Sequence, residues 1–196
     1  PEKLQLSNRL FEVGMRSPPK RDLHEAALPE MAALASAMKQ SIQLAVVSSD
    51  QIVVIARTES PDDVGFSVRL GYRRSIMKSA SGLVLFAFAS PMHKAKMIED
   101  LHAADVDDAA IGVLETEAAI VRENGFARMP SRIVDGVTDI GAPVFDSTSA
   151  GAVASLTVPF VVTRGSRVSL DEAPGMVAAA AGRISSVLGY TLPHES

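Results

Sequence analysis

Residues 125–162 read GFARMPSRIVDGVTDIGAPVFDSTSAGAVASLTVPFVV, and their pattern decides the fold. Two apolar, β-branched runs flank the polar turn Asp146–Gly151, the signature of paired strands. The residues before them read as a loop that delivers Asp135 and Gly136 into the first strand. The stretch holds no nucleophile–base pair, no phosphate-binding loop and no metal-ligand spacing. It sets Asp139, Ser155 and Thr157 among apolar strand residues, which suits a pocket that binds a molecule better than a centre that transforms one.

The C-terminal flank is a helix over about 170–188. Asp171 and Glu172 fall in its first turn, where they complement the helix dipole, and Ala173, Val177, Ala180, Ile184 and Val187 form its apolar stripe. Upstream, Ile111, Leu114, Ala118 and Val121 mark an amphipathic helix over 107–124 that Gly125 terminates. Pro91 opens a helix to about His102. Residues 79–89, with Leu83, Leu85, Phe86 and Phe88, leave almost no polar face and predict a buried helix capped by Ser79 or Ser81. Before it come a strand at 65–70 (GFSVRL) and a hairpin: Ile42, Leu44 and Val46, then Ile52 to Ile55, around Ser48-Ser49-Asp50. Leu23, Ala27, Met31, Leu34 and Met38 define a helix from about Asp22 to Gln40, in which Pro29 marks a kink or a later start. Ser7 caps a short first helix carrying Leu10, Phe11 and Met15, which Ser17-Pro18-Pro19 ends. Hairpins and covering helices define an α/β (α+β) domain with a mostly antiparallel sheet.

A chain of 196 residues, 47% hydrophobic and 21% charged, supports one well-filled core. No apolar run reaches the ~20 residues of a membrane helix, and Glu2, Lys3 and Arg9 break any signal-peptide pattern. The absence of cysteine excludes disulfides and thiolate metal sites and points to a reducing cytoplasm. The net charge of −4 opposes nucleic-acid binding over the whole surface. Residues 1–21 hold five cations against two acids, leaving +3 there and −7 elsewhere. That basic start suits either a nearby polyanion or a plain solvated helix face. Beginning at Pro1 in mid-pattern, without Met, the chain is expected to be a fragment of a longer protein. His93 and His102 are nine residues apart, about 900° around a helix and so on opposite faces; no metal site or cofactor is expected.

In this order, LQLSNRLFEVG (4–14), KSASGLVLFAF (78–88), ENGFARMPSRIVDGVTDIGAPVFD (123–146) and AVASLTVPF (152–160) resemble the effector-binding half of an IclR-type transcription regulator. The resemblance implies a GAF-like fold, a twisted, mostly antiparallel sheet with helices on both faces. It implies that residues 1–20 are the end of a wing and linker helix, and 21–196 the effector-binding and oligomerisation domain. It further implies assembly as a homodimer or homotetramer, with DNA read only by a winged helix N-terminal to this segment. Three positions depart from the family pattern: Met77 stands where many members carry His, Asp139 where many carry Cys, and Pro159 where many carry a second Ser beyond Thr157. The ligands of other members therefore do not carry over.

The candidate ligand-binding residues are Ser79, Ala80, Ser81, Gly82, Asp139, Ser155 and Thr157. A helix start at Ser79–Gly82 offers N–H groups to a carboxylate, and its small residues allow close approach; plain capping in a crowded core is the alternative. Asp139 shares a strand face with Val137 and Gly141 and, if covered, needs either a ligand donor or an ion pair with an arginine such as Arg132 or Arg128. Ser155 and Thr157 share the next strand's face, as pocket hydroxyls or as exposed β-formers. No catalytic residue is assigned. The leading function is sensing of a small carboxylic acid by a cytoplasmic transcription regulator; the others are a small hydrolase or isomerase using Asp139 with a serine, and a ligand-free GAF-like dimerisation module.

Overall fold

The structure, a computed structural model, describes residues 23–62, 65–164 and 166–191. The expected helix after Ser7, the reading of residues 1–20 and His194 lie outside them. Six strands, β1 (Ile42–Ser48), β2 (Gln51–Thr58), β3 (Arg73–Ser75), β4 (Ala127–Pro130), β5 (Val137–Val144) and β6 (Ala154–Val161), form one sheet in the order β3-β2-β1-β6-β5-β4. Every neighbouring pair is antiparallel. β5 and β6 pair along their whole length, from Val137 opposite Val161 to Val144 opposite Ala154, as the opening stretch predicts. The Asp146 carboxylate fixes their turn by accepting from the N–H groups of Thr148 and Ser149.

Both sheet faces are covered. α1 (Leu23–Met38) and α5 (Ala173–Val187) pack on Ile42, Leu44, Ile140, Leu156, Val158 and Phe160. On the other face lies α2 (Ala80–Ala87), all eight residues buried. α3 (Pro91–Ala103) adds Met97 and Leu101 to that core, and α4 (Asp108–Asn124) packs on α2 rather than on the sheet. Burying each Leu, Val or Phe of α2 contributes about 1.5–3 kcal/mol, which explains why a helix of only two turns persists. The local signals are obeyed: Ser79, Ser90 and Asp107 accept from the third helical N–H, and Gly125 ends α4 at φ 80°.

Several expectations need correction. Residues 65–70 are not a strand; Gly71 turns the chain at φ 74°, and β3 pairs with β2 only afterwards, Arg74 opposite Ile52. The 65–70 segment instead lies over the sheet, tied by the Arg57 guanidinium to the Val68 carbonyl. The loop before β5 contains β4, a four-residue edge strand ending in Pro130, where proline costs no ladder bond. Helix α5 starts at Ala173, so Asp171 and Glu172 precede it, and Val187 is exposed at its far end. Pro29 stands inside α1 on its exposed side rather than delaying its start.

One irregularity positions the site. Leu44 pairs with Ala56 but Ala45 with Val54, so Ile55 is a bulge. Ile52 and Val54 therefore face α2, whereas Ala56 faces α1. The bulge brings Arg57 opposite Gln43 on the α2 side, where it can hold the 65–70 segment.

Candidate functional site

The start of α2 is pressed onto the sheet by two glycines. A Cβ at Gly82 would collide with the Ile76 carbonyl of the preceding 3-10 turn, Ile76–Lys78. A Cβ at Gly141 would meet Thr157 Oγ1 and Val84 Cγ2 at 3.3 Å. With neither present, Ser81 reaches β6: Ser81 Oγ and Thr157 Oγ1 are 2.7 Å apart, and Thr157 Oγ1 lies 3.1 Å from Ser155 Oγ. All three side chains are buried, so Ser155 and Thr157 are not exposed β-formers.

In front of this hydroxyl chain lies a narrow cavity of about 40 Å³. Ser79, Ala80 and Ser81 form one side, and Gln43, Ile52, Val54, Thr157 and Pro159 the floor. Arg74, Asp139 and Ser131 meet at another side, and Phe66, Val68 and Tyr72 close it. Five of the seven sequence-derived residues thus come together from three distant segments. The other two stand behind the lining: Gly82 makes room for Ile76, and Ser155 supports Thr157. Ser79 Oγ accepts from Gly82 N–H at 3.0 Å, so it caps α2 as well as lining the cavity.

Asp139 is half-buried. Burial pushes its carboxyl above the usual range, against a hydrogen bond from Ser131 and the positive charge of Arg74. The ion pair with Arg128 or Arg132, the alternative to a ligand donor, is not made. In the β4–β5 ladder Arg128 is opposite Ile140, on the other sheet face, and it pairs with Asp171 at 2.9 Å. Arg132 reaches Glu117 at 3.0 Å and the Met77 carbonyl. Thr157 lies opposite Gly141, one pleat away from Asp139, whose partner is Pro159.

The sequence reading missed Gln43, Arg74, Ser131 and the closing residues. A signal existed for Gln43, a polar residue inside the apolar run IQLAVV; Arg74 joins the site only through the β2–β3 register. Two larger clefts, about 340 and 350 Å³, lie at α3 and α4; there Lys96 pairs with Asp100 at 2.8 Å, Lys94 with Glu115 at 3.3 Å, and Arg122 donates to the Ala87 carbonyl. Among the described residues no group of His, Cys, Asp and Glu is placed to hold a metal, and no helix is long and apolar enough to cross a membrane.

The six-stranded sheet carries this polar cavity beneath a buried helix start, and the known proteins that the chain resembles are regulators. Residues 16–186 match the family model of the bacterial transcriptional regulator IclR C-terminal domain. The chain is 30% identical over 194 residues to the HTH-type transcriptional regulator KdgR of Escherichia coli K12, spanning 96% of this chain and 73% of that protein. The solved C-terminal domain of E. coli KdgR superposes with a TM-score of 0.68 at 27% identity, covering 86% of this chain and 99% of that one. An IclR homologue from Microbacterium hydrocarbonoxydans, solved in complex with 4-hydroxybenzoate, has a TM-score of 0.70 at 22% identity, covering 95% and 76%. The chain belongs to the IclR family of bacterial transcriptional regulators, as its C-terminal domain. That family is one of regulators, so the hydrolase or isomerase reading is set aside.

Proposed function

We propose that this chain is the effector-sensing and oligomerising domain of a cytoplasmic IclR-type regulator, and that its effector is a small organic acid bound between α2 and the sheet. The observation that carries this is the convergence of Ser79, Ser81, Asp139 and Thr157 with Arg74 and Gln43 on one cavity. The N–H groups at the α2 start and the Arg74 guanidinium are the positive partners for a carboxylate. Asp139 accepts from a hydroxyl or amine elsewhere on the ligand. A simple dicarboxylate suits the site poorly, because its second charge meets Asp139. The 4-hydroxybenzoate complex of the Microbacterium homologue supports an acid of this kind.

The cavity, at about 40 Å³, is well below the ~300–1,000 Å³ usual for small-molecule sites. Binding an acid therefore moves the wall formed by Phe66, Val68 and Tyr72 outward. Assembly is as a homodimer or homotetramer, and DNA contact belongs to a winged-helix domain N-terminal to this segment. The acidic body, −7 outside residues 1–21, gives this chain only weak, salt-sensitive affinity for DNA.

Thermal denaturation with a broad panel of monocarboxylic acids tests the reading. A saturable rise in Tm that follows acid concentration, with no acid consumed, is expected. A flat response across the panel would favour the ligand-free dimerisation module.

A further inference from the structure

Gln40 and Gln43 stand three residues apart and are both buried, 5% and 7% exposed. Gln40 is fully answered. Its Nε2 donates to the Val161 carbonyl at 2.9 Å and its Oε1 accepts from the Val161 N–H at 3.1 Å, so the carboxamide mimics one more ladder pair on β6.

Gln43 is different. It lies within β1 opposite Thr157 and lines the cavity floor, and among the described residues its carboxamide makes no hydrogen bond. Among the described residues, every other polar residue buried as a whole has a partner; half-buried Ser67 keeps an unpartnered Oγ. Ser41 accepts from the Ser60 N–H, Ser90 caps α3, and Ser185 accepts from the Phe145 N–H. Ser81, Thr157 and Ser155 bond to one another. Its carboxamide keeps a little exposure, at the cavity it lines, and there a largely desolvated amide without a partner is less favourable to the fold than an apolar residue. Its direct cross-strand neighbours, Arg57 and Thr157, bond elsewhere, to the Val68 carbonyl and to Ser81, and the next residues on this face, Ala45, Ile52 and Val54, are apolar. Gln43 is thus anomalous for the fold and well placed for a ligand.

We infer that Gln43 selects the effector, by hydrogen bonding to a neutral oxygen function, a hydroxyl or a ketone, on the apolar body of a carboxylic acid. This rests on the reading of the cavity as an acid-binding site. Gln43 supplies what Asp139 does not. A carboxylate only accepts, whereas the carboxamide both donates and accepts and so can read an oxygen that bears no hydrogen. Ile52, Val54 and Pro159 line the cavity beside it and receive the apolar body. The class is oxo- and hydroxy-monocarboxylic acids, as against their unsubstituted parents.

The test uses Gln43→Met, which keeps the length of the side chain and removes its hydrogen-bonding groups. Matched acids differing by one carbonyl oxygen, which Asp139 cannot read, pentanoate with 4-oxopentanoate and hexanoate with 5-oxohexanoate, are titrated by calorimetry against both proteins. In the wild type the oxygenated member of a pair binds roughly tenfold more tightly. In Gln43→Met it falls to within about twofold of its parent measured on the same variant. The ligand-free variant melts at the same temperature as the wild type or higher, because an unpartnered amide has gone. A preference that survives in Gln43→Met, or a variant that melts lower, overturns the inference and leaves the acid-binding site standing. Acids that bind the wild type without regard to the oxygen do the same. If none of the four acids binds the wild type, the acid-binding reading falls and takes this inference with it.

Discussion

Ser81 Oγ and Thr157 Oγ1 lie 2.7 Å apart across 76 residues of sequence, and both are buried. This contact joins the start of α2 to the centre of β6 directly over Gly141, and through Ser155 it continues along the strand. The cavity wall is therefore set by a hydroxyl chain rather than by apolar packing alone. Removing the central Thr157 hydroxyl would leave both Ser81 and Ser155 desolvated and without this partner.

Replacing Thr157 by Val keeps the shape and deletes the hydroxyl that Ser81 and Ser155 share. The expected loss in unfolding free energy is about 1–3 kcal/mol, measured by urea denaturation. Adding Ser81→Ala to that variant should cost less than it does in the wild type, since Ser81 has by then lost its partner. Strict additivity of the two substitutions would show that the hydroxyls are not coupled.

Two glycines in helices should respond in opposite directions. At Gly82 a methyl would collide with the Ile76 backbone, so Gly82→Ala should destabilise by about 2 kcal/mol or more and distort the cavity wall. At Gly112, inside α4, a Cβ would meet nothing within 4 Å, so Gly112→Ala should stabilise by about 0.5–1 kcal/mol. Melting temperatures of the two variants decide this; equal effects would mean that Gly82 is not under backbone pressure.

That contrast also shows what the sequence could and could not reveal. Helices α2 to α4 were legible because periodicity and caps are local: Ser90, Asp107 and Gly125 do what their chemistry suggests at any such position. The β5–β6 pair was legible because its two apolar runs are long and flank a polar turn. β3 and β4 were not, since three or four residues containing Arg or Pro carry no period of two. The candidate residues Asp139 and Thr157 stood out as polar groups among apolar ones. Their mutual placement, Thr157 opposite Gly141 rather than Asp139, depends on register, which is a property of two strands together. Arg74 enters the site only through pairing with Ile52 and the bulge at Ile55 that fixes which way β2 faces.

Arg74→Gln should weaken every acid that binds, by about 1.5–3 kcal/mol, the range for a hydrogen bond to a charged group. The fold should be little changed, within about 0.5 kcal/mol, because the β3 backbone pairing remains and only an exposed bond to the Arg132 carbonyl is lost. The same substitution removes the positive charge that opposes burial at Asp139, so the Asp139 carboxyl should titrate still higher, as read by carboxyl-carbon NMR. Loss of binding for one acid only, with others untouched, would remove Arg74 as the general carboxylate partner.

Asp139 ties stability, pH and ligand choice together. Burial raises its pKa in the folded chain, so between the ordinary carboxylate value and that raised value the folded state holds more protons than the unfolded one. Stability must then fall as pH rises through this window, and the cost of the buried charge is fully present above it. Asp139→Asn removes the charge while keeping the shape. Without ligand it should melt higher than the wild type at neutral pH, and the difference should vanish as the pH is lowered below the ordinary carboxylate range. With ligand the order reverses. An acid carrying a hydroxyl or amine donor should lose about 1–3 kcal/mol of binding free energy, and an acid lacking the donor should lose much less. Calorimetric titration of the two acids, with a pH series of melting curves, separates the roles. Equal loss for both acids, together with a variant that is never the more stable, would make Asp139 a structural partner of Ser131 and Arg74 rather than a ligand contact.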